Sequence, residues 1–189
     1  MKRLKVTEAR AVGTTGEPSW ALAPPDVSRL EPATLKMCQE ALGGLLWLST
    51  RTRIDIAYAV SKAASMAAAC PRTSWYMIRR ILRYLRTNPE LGIRMKRADN
   101  RNLRCFTDAS WAPGNGRSQT GVVICLGETP VLWKSSKQTL TAMSSAEAEL
   151  IAISNGFQYA MGTEAVMACC DISLPVVIYT DNSPTVQTI

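Results

Sequence analysis

The spacing of apolar residues along the chain changes near residue 100, from a helical period to a period of two. From about Leu35, apolar residues recur at helical spacing on both sides of a break at residues 51–55, which predicts two helices. A third helix is predicted in SWYMIRRILRYLRTNP, and its apolar residues follow the i, i+3, i+4, i+7 pattern: Ile78, Ile81, Leu82 and Leu85. Residues 1–35 show little periodicity and many Gly, Pro and polar residues, so we expect an irregular lead-in.

The second half of the chain has the pattern of a small sheet with a crossover helix. LRCFTDAS, GVVICLG and PVLWKSS are short runs separated by turn residues, and they predict three strands of an antiparallel meander. A long helical stretch from Leu140 to Ile172 follows, then the β-branched run PVVIYTDN and the start of another helix in SPTVQTI. A strand reached through a crossover helix usually runs parallel to a strand of the same sheet. The predicted fold class is therefore α/β, with a mixed sheet preceded by a small helical segment.

Acidic residues stand where this topology brings strand ends together. Asp108 closes the first strand and Asp181 closes the fourth, so their carboxylates are predicted to lie side by side. Neighbouring carboxylates repel each other unless a cation lies among them, and Mg²⁺ is the hard cation that prefers oxygen ligands. Two such ions can promote hydrolysis of a phosphodiester. Aspartates at strand ends are also common as turn residues, and that alternative stays open.

Two glutamates begin the long helix in SSAEAELIAI, and the sequence predicts different roles for them. Ser144 followed by Glu147 has the spacing of a capping box, which gives Glu147 a structural role. Glu149 lies roughly 200° further round the helix, close to the side of Ile153 that is predicted to face the sheet. We therefore assign Glu149 to the metal site and Glu147 to the helix cap.

Charge is unevenly distributed between the two halves. Residues 1–100 carry 17 Lys and Arg against 8 Asp and Glu, whereas residues 101–189 carry 5 against 7. In the third predicted helix, Arg79, Arg83 and Arg86 form a cationic stripe. Such a stripe can follow a phosphate backbone, although a charged helix face is also commonly just solvated.

Composition excludes several kinds of chemistry. The chain has no histidine, which excludes imidazole bases and most zinc sites. Its six cysteines lack CxxC spacing and are expected to be reduced thiols. No stretch reaches the roughly 18 apolar residues of a membrane span, and no secretory signal pattern is present. We therefore expect no membrane association and an intracellular location, cytoplasmic or nuclear.

Five strings of this sequence resemble one protein family in order and spacing. They are ALGGLLWLSTRTRIDIAYAV, RRILRYLRTNPELGI, FTDASWA, RSQTGVVICLGETPVLWKSSKQTLTAMSSAEAELIAIS and VVIYTDN. Together they resemble the C-terminal part of copia-type LTR retrotransposon polyproteins, where the end of the reverse transcriptase runs into a ribonuclease H domain. The resemblance covers roughly residues 36–187.

The resemblance implies a domain organisation and an activity. Residues 36–97 are similar to the thumb or connection of a reverse transcriptase, and residues 101–189 are similar to ribonuclease H. The implied activity is Mg²⁺-dependent hydrolysis of the RNA strand of an RNA–DNA hybrid, with Mn²⁺ as a substitute metal. A reverse transcriptase polymerase domain is a possible partner.

The family's acids can be matched to positions of this sequence. The first matches Asp108 in TDASW, the second matches Glu149 in AELIA, and the third matches Asp181 in YTDN. Further candidates for contacting nucleic acid are Lys134, Lys137 and Asn182.

The sequence departs from the family in ways that leave rival functions open. In the family, a fifth strand and a fourth acid lie on a later segment. The present sequence ends at Ile189, before that segment, so impaired activity is one expectation. The polymerase palm is absent, and Ile54 stands where the family usually has Pro. One rival is a non-catalytic remnant that binds nucleic acid or another protein. Another is a connection domain that needs a polymerase partner.

Overall fold

The computed structural model describes residues 13–16, 28–97, 102–112 and 116–181. The chain divides into two compact units, Met1–Gly92 and Ile93–Ile189. The first unit is helical and the second contains a sheet, and each is described by itself below. The assignment of residues 36–97 to a connection-like segment and of residues 101–189 to a ribonuclease H domain remains a prediction.

Three helices and one short turn of 3₁₀ helix form the described part of the first unit. Helix α1 spans Pro32–Arg51, the 3₁₀ turn spans Ile54–Ile56, α2 spans Ala57–Met66 and α3 spans Pro71–Thr87. The predicted break between the first two helices is confirmed. Helix α1 begins within the predicted irregular lead-in, because Pro32 occupies its first turn, where a missing backbone N–H costs nothing.

The core of the first unit lies where α2 and α3 meet. Side chains with almost no exposure fill it: Ile56, Val60, Ala63, Met77, Ile78 and Ile81. The buried hydroxyl of Ser74 donates to the Ala63 carbonyl at 2.9 Å, which ties α3 to α2. The predicted apolar face of α3 is confirmed, since Ile78, Ile81, Leu82 and Leu85 are all buried.

An ion pair whose arginine is buried joins the 3₁₀ turn to the end of α3. Arg53 is only 5% exposed, and its Nη2 lies 2.8 Å from Oδ2 of Asp55. Its Nη1 donates to the Asn88 carbonyl at 3.0 Å. Burial alone would raise the pKa of Asp55, but hydrogen bonds from Arg53 and Tyr84 and the charge of Arg53 hold that pKa below its ordinary value.

Four strands form the sheet of the second unit. They are β1 (Leu103–Ser110), β2 (Gln119–Leu126), β3 (Thr129–Lys137) and β4 (Val176–Tyr179), in the order β3-β2-β1-β4. β2 pairs antiparallel with β1 on one side and with β3 on the other, whereas β4 runs parallel to β1. The predicted α/β fold with a mixed, ribonuclease H-like sheet is confirmed.

Helix α4, Ser145–Ala168, is the crossover between β3 and β4 and packs on the sheet. Small residues line its buried face: Ala148, Ala152, Gly156 and Ala160. A Cβ added at Gly156 would overlap the side chain of Thr107 and lie 3.1 Å from Sγ of Cys105, so only glycine allows this close approach.

The larger apolar residues of α4 are not on its buried face. Leu150, Phe157 and Met161 are exposed, and Ile153 is half-buried. Ile153, which was predicted to face the sheet, is thus only partly covered, whereas Glu149 is buried as expected.

The remaining predictions at this level concern the end of the chain and the membrane. The helix predicted in SPTVQTI lies outside the described residues. Within the described ranges, none of the helices combines the length and apolar character that crossing a membrane requires.

Candidate metal centre

Two aspartates meet at one edge of the sheet because β1 and β4 are parallel. Phe106 faces Tyr179 at the end of the paired register, and their rings stack with centroids 5.0 Å apart. Asp108 lies two residues after Phe106, and Asp181 lies two residues after Tyr179. Asp108 and Asp181 lie close together in the structure, as predicted, and both residues are exposed.

The first turn of α4 brings a third carboxylate to the same edge. Ser144 caps this helix, since its Oγ accepts a hydrogen bond from the Glu147 backbone N–H at 3.2 Å. Oε2 of Glu147 accepts from the Met143 N–H at 2.6 Å, one residue earlier than the N-cap amide of a standard capping box. Glu147 therefore has the predicted structural role, with a shifted partner.

Glu149 lies on the buried side of α4 and is 9% exposed. Its Oε1 accepts a hydrogen bond from the Ala109 N–H on β1 at 3.3 Å. Its Oε2 is buried and has no hydrogen-bond partner among the residues that the structure describes. Burial raises the pKa of Glu149, the Ala109 amide opposes this rise, and the charges of Asp108 and Asp181 add to it.

Together the three acids form a set that fits a hard divalent cation. One carboxylate oxygen from each of Asp108, Glu149 and Asp181 lies within 4.8 Å of the other two. An all-oxygen set suits Mg²⁺ or Mn²⁺ better than softer metals. A buried carboxylate oxygen without a partner costs free energy, and coordination to a cation would remove that cost. The three acids therefore fit a divalent metal. The supporting observation is that Oε2 of Glu149 is buried and lacks a hydrogen-bond partner among the described residues.

The other residues predicted to contact nucleic acid are distributed over both units. On α3 of the first unit, Arg79 is exposed, whereas Arg83 and Arg86 are half-buried. On β3 of the second unit, Lys134 and Lys137 are exposed. The ammonium of Lys134 donates to the hydroxyl of Tyr159 and lies 4.9 Å from the centroid of its ring. Asn182 lies outside the described residues.

Two residues near the acids have structural contacts that the sequence pattern did not predict. The indole of Trp111 is 42% exposed, and its Nε1 donates to the Ala142 carbonyl at 3.2 Å, which joins the end of β1 to the segment before α4. Gln138 is a fully buried amide directly after β3, in a run of polar residues that resembles an ordinary turn. Its only sequence signal is that of a polar residue two positions beyond the predicted strand PVLWKSS.

The mixed sheet, the capped crossover helix and the acids at the strand ends define a ribonuclease H-like domain. In agreement with this class, a family model described as reverse transcriptase-like matches residues 106–189, a range that includes all three acids. No solved structure gives a significant match.

Similar proteins include transposon polyproteins and an effector. The retrovirus-related Pol polyproteins from transposons RE2 and RE1 of Arabidopsis thaliana are 32% and 33% identical over 145 residues, which are 75% of this chain and 10% of each polyprotein. The secreted RxLR effector protein 161 of Plasmopara viticola is 36% identical over 124 residues, which are 64% of this chain and 87% of the effector. The chain is therefore similar to a part of the retrovirus-related Pol polyproteins of retrotransposons. It spans about a tenth of the length of the two polyproteins.

Proposed function

We propose that the second unit is a metal-dependent ribonuclease H, which hydrolyses the RNA strand of an RNA–DNA hybrid. The observation that carries this proposal is the set of three carboxylates within 4.8 Å of one another, one of which has a buried oxygen without a partner. Similarity to reverse transcriptase-like proteins supports the substrate class, because RNA–DNA hybrids arise during reverse transcription. We further propose that the family is the copia type.

In this proposal the three acids share one task, which is to hold the metal. Asp108, Glu149 and Asp181 hold Mg²⁺, with Mn²⁺ as a substitute. When bound, such a metal supplies activation of a water and stabilisation of the leaving oxygen of a phosphodiester. The Ala109 N–H holds Oε1 of Glu149 and leaves Oε2 available as a ligand. Asp108 and Asp181 are exposed, so a substrate backbone can approach the acids from solvent.

Nucleic-acid binding without cleavage is a second candidate, and it rests on the first unit. Arg79, Arg83 and Arg86 recur on one side of α3, and the exposed Tyr76 precedes them at helical spacing. A row of arginines on one rigid helix neutralises successive phosphates, and an aromatic ring can stack on a base. In this reading the first unit is a connection-like segment that holds nucleic acid, and a polymerase domain is its partner.

Incubation of the purified chain with a labelled RNA–DNA hybrid in Mg²⁺ or Mn²⁺ tests both candidates. The key variant is Asp108→Asn, and its matched control is Asp171→Asn, which removes an acid after the end of α4 at a positive φ of 59° that asparagine tolerates. RNA cleavage that needs the metal, disappears in Asp108→Asn and persists in Asp171→Asn supports the nuclease. Binding of the hybrid without cleavage supports the second candidate. Absence of both binding and cleavage contradicts both.

A further inference from the structure

Gln138 directly follows β3 and is only 2% exposed, although it is not one of the acids. A primary amide in such a place needs hydrogen-bond partners to offset the loss of water. Its Nε2 donates to Oγ1 of Thr120 at 3.0 Å and to the carbonyl of Ala148 at 2.8 Å. Because a carbonyl can only accept a hydrogen bond, the contact with Ala148 also fixes which end of the amide is the nitrogen.

Both partners of Gln138, the Thr120 hydroxyl and the Ala148 carbonyl, belong to residues next to those that hold Glu149. Ala148 is the residue before Glu149 in α4. Thr120 on β2 lies directly opposite Ala109 on β1, and Ala109 donates its N–H to Oε1 of Glu149. These contacts form a closed path. The Glu149 carboxylate bonds to Ala109, and Ala109 pairs with Thr120 across the two strands. Thr120 bonds to Gln138, which bonds to the Ala148 carbonyl in the peptide group before Glu149.

The backbone of Gln138 is itself fixed. Its N–H donates to the Ser118 carbonyl at 2.7 Å, and the fully buried Ser118 accepts a hydrogen bond from the Ala112 N–H at 3.2 Å. The Gln138 amide thus extends from a rigid point toward α4, with little freedom to follow that helix if it moved. A residue held in this way can set the distance between α4 and the sheet.

We propose that Gln138 is a positioning residue that fixes Glu149 against β1 so that the three acids can bind a divalent cation. This inference rests on the proposed function, and it assigns to Gln138 no contact with metal or substrate. Its removal lets the start of α4 move away from the sheet, which loosens the bond between Glu149 and Ala109. A purely stabilising residue would instead lower the melting temperature without changing the metal affinity of the folded protein.

The first measurement is the Mn²⁺ dissociation constant of Gln138→Met, obtained from the electron paramagnetic resonance signal of free Mn²⁺. Methionine keeps the approximate volume and removes the amide. The matched control is Gln119→Met, which removes a half-buried amide of β2 that donates to Ser135 Oγ at 2.9 Å. We expect about tenfold weaker Mn²⁺ binding in Gln138→Met, the size of effect seen for groups that orient metal ligands, and unchanged binding in Gln119→Met.

A second measurement works without metal. Amide hydrogen exchange at Ala109 reports the bond to Glu149 directly, and we expect Gln138→Met to lose protection there. If Gln138→Met does not fold, Thr120→Val takes its place, because it removes the acceptor on β2. Thr120→Ser keeps a hydroxyl acceptor and should retain both the Mn²⁺ affinity and the protection of Ala109.

The outcomes separate this inference from the proposed function. A folded Gln138→Met protein with a lower melting temperature, unchanged Mn²⁺ affinity and unchanged exchange at Ala109 overturns the inference and leaves the proposed function intact. A wild-type chain that neither binds Mn²⁺ nor cleaves hybrid overturns the proposed function. In that case exchange at Ala109 in Gln138→Met still decides whether Gln138 positions Glu149.

Discussion

Asp108 and Asp181 each lie two residues after one member of the same cross-strand pair. That pair is Phe106 on β1 and Tyr179 on β4. The parallel register of β1 and β4 therefore brings both carboxylates to the same sheet edge. Glu149 completes the set from α4, whose first turn is fixed by the Ser144 cap. Three acids far apart in sequence become neighbours through one parallel strand pair and one capped helix.

The first prediction separates the two glutamates of α4. Glu149→Gln should weaken Mn²⁺ binding and hybrid cleavage about a hundredfold or more, because it removes the charge of a metal ligand while keeping its shape. Glu147→Gln should retain both, because the Glu147 carboxylate accepts a hydrogen bond from the Met143 N–H, and a glutamine carbonyl can accept the same bond. Metal titration and an initial-rate assay on labelled hybrid check this. Equal losses in the two variants would contradict the assignment of Glu149 to the metal site.

The second prediction concerns the pH dependence of stability without metal. The pKa of Glu149 is raised above its ordinary value of 4.5, first by burial, so the folded state binds this proton more tightly than the unfolded state does. The contribution of Glu149 to the free energy of unfolding is therefore largest below 4.5 and decreases as the pH rises through the raised pKa. Urea unfolding at a series of pH values measures this.

Two changes should remove that decrease. Glu149→Gln has no proton to lose and should show a flatter profile between acidic and neutral pH. Saturating Mn²⁺ should also raise the stability of the wild type at neutral pH, because it binds only the folded carboxylate cluster. A profile in Glu149→Gln that matches the metal-free wild type would show that another group titrates.

The strand order and the meeting of the acids could be predicted from the sequence because both follow from general rules. A period of two marks strands, and a crossover helix makes the next strand parallel, so Asp108 and Asp181 could be placed together. The helix cap at Ser144 could likewise be predicted from the spacing between Ser144 and Glu147. None of these steps depends on how tightly the elements pack.

The features that the sequence pattern missed depend on packing distance. The pattern placed Ile153 toward the sheet, whereas the buried face is lined by small residues: Ala148, Ala152, Gly156 and Ala160. Small residues allow the helix to approach the sheet closely, and hydropathy alone does not distinguish this from an ordinary apolar stripe. Gln138 was missed for the same reason, since its burial arises only when α4 approaches β2 and β3.

The third prediction tests that close approach with two glycines of one helix. Gly156→Ala should destabilise the protein by about 1–3 kcal/mol, because the added methyl overlaps Thr107 and approaches Cys105. Gly162→Ala should stabilise it by up to about 1 kcal/mol, since nothing lies within 4 Å of the added carbon and alanine favours helix. Urea unfolding of both variants checks this. Equal effects of the same sign would contradict the packing of α4 through Gly156.

The fourth prediction concerns the ion pair between the buried Arg53 and the exposed Asp55 of the first unit. Asp55→Asn should destabilise this unit by about 1–2 kcal/mol, because it leaves the buried guanidinium of Arg53 without a compensating charge, while solvent around Asp55 screens part of the interaction. The matched control is Glu128→Gln in the second unit. It breaks a surface pair, Lys96–Glu128, whose side chains are 65% and 69% exposed, and no measurable change is expected.

The pH dependence of this ion pair runs opposite to that of Glu149. The pKa of Asp55 is held below its ordinary value of 3.8, so the pair stabilises the fold above 3.8 and is lost as the pH falls through the lowered pKa. Hydrogen exchange of α3 amides as a function of acidity can follow this loss. Asp55→Asn should abolish it, and an unchanged acid transition would show that other carboxylates control unfolding of the unit.

The fifth prediction concerns the cationic side of α3, which either binds nucleic acid or is merely solvated. Arg79 is exposed, so Arg79→Gln should leave the fold intact. If Arg79 contacts a phosphate, the variant should bind RNA–DNA hybrid more weakly, and the slope of log affinity against log salt concentration should decrease by about 1. The control is Lys36→Gln on α1, an exposed cation outside the stripe. Fluorescence anisotropy across a salt series distinguishes the two readings, because equal slopes in the wild type and both variants mean that the arginine side of α3 is only a solvated surface.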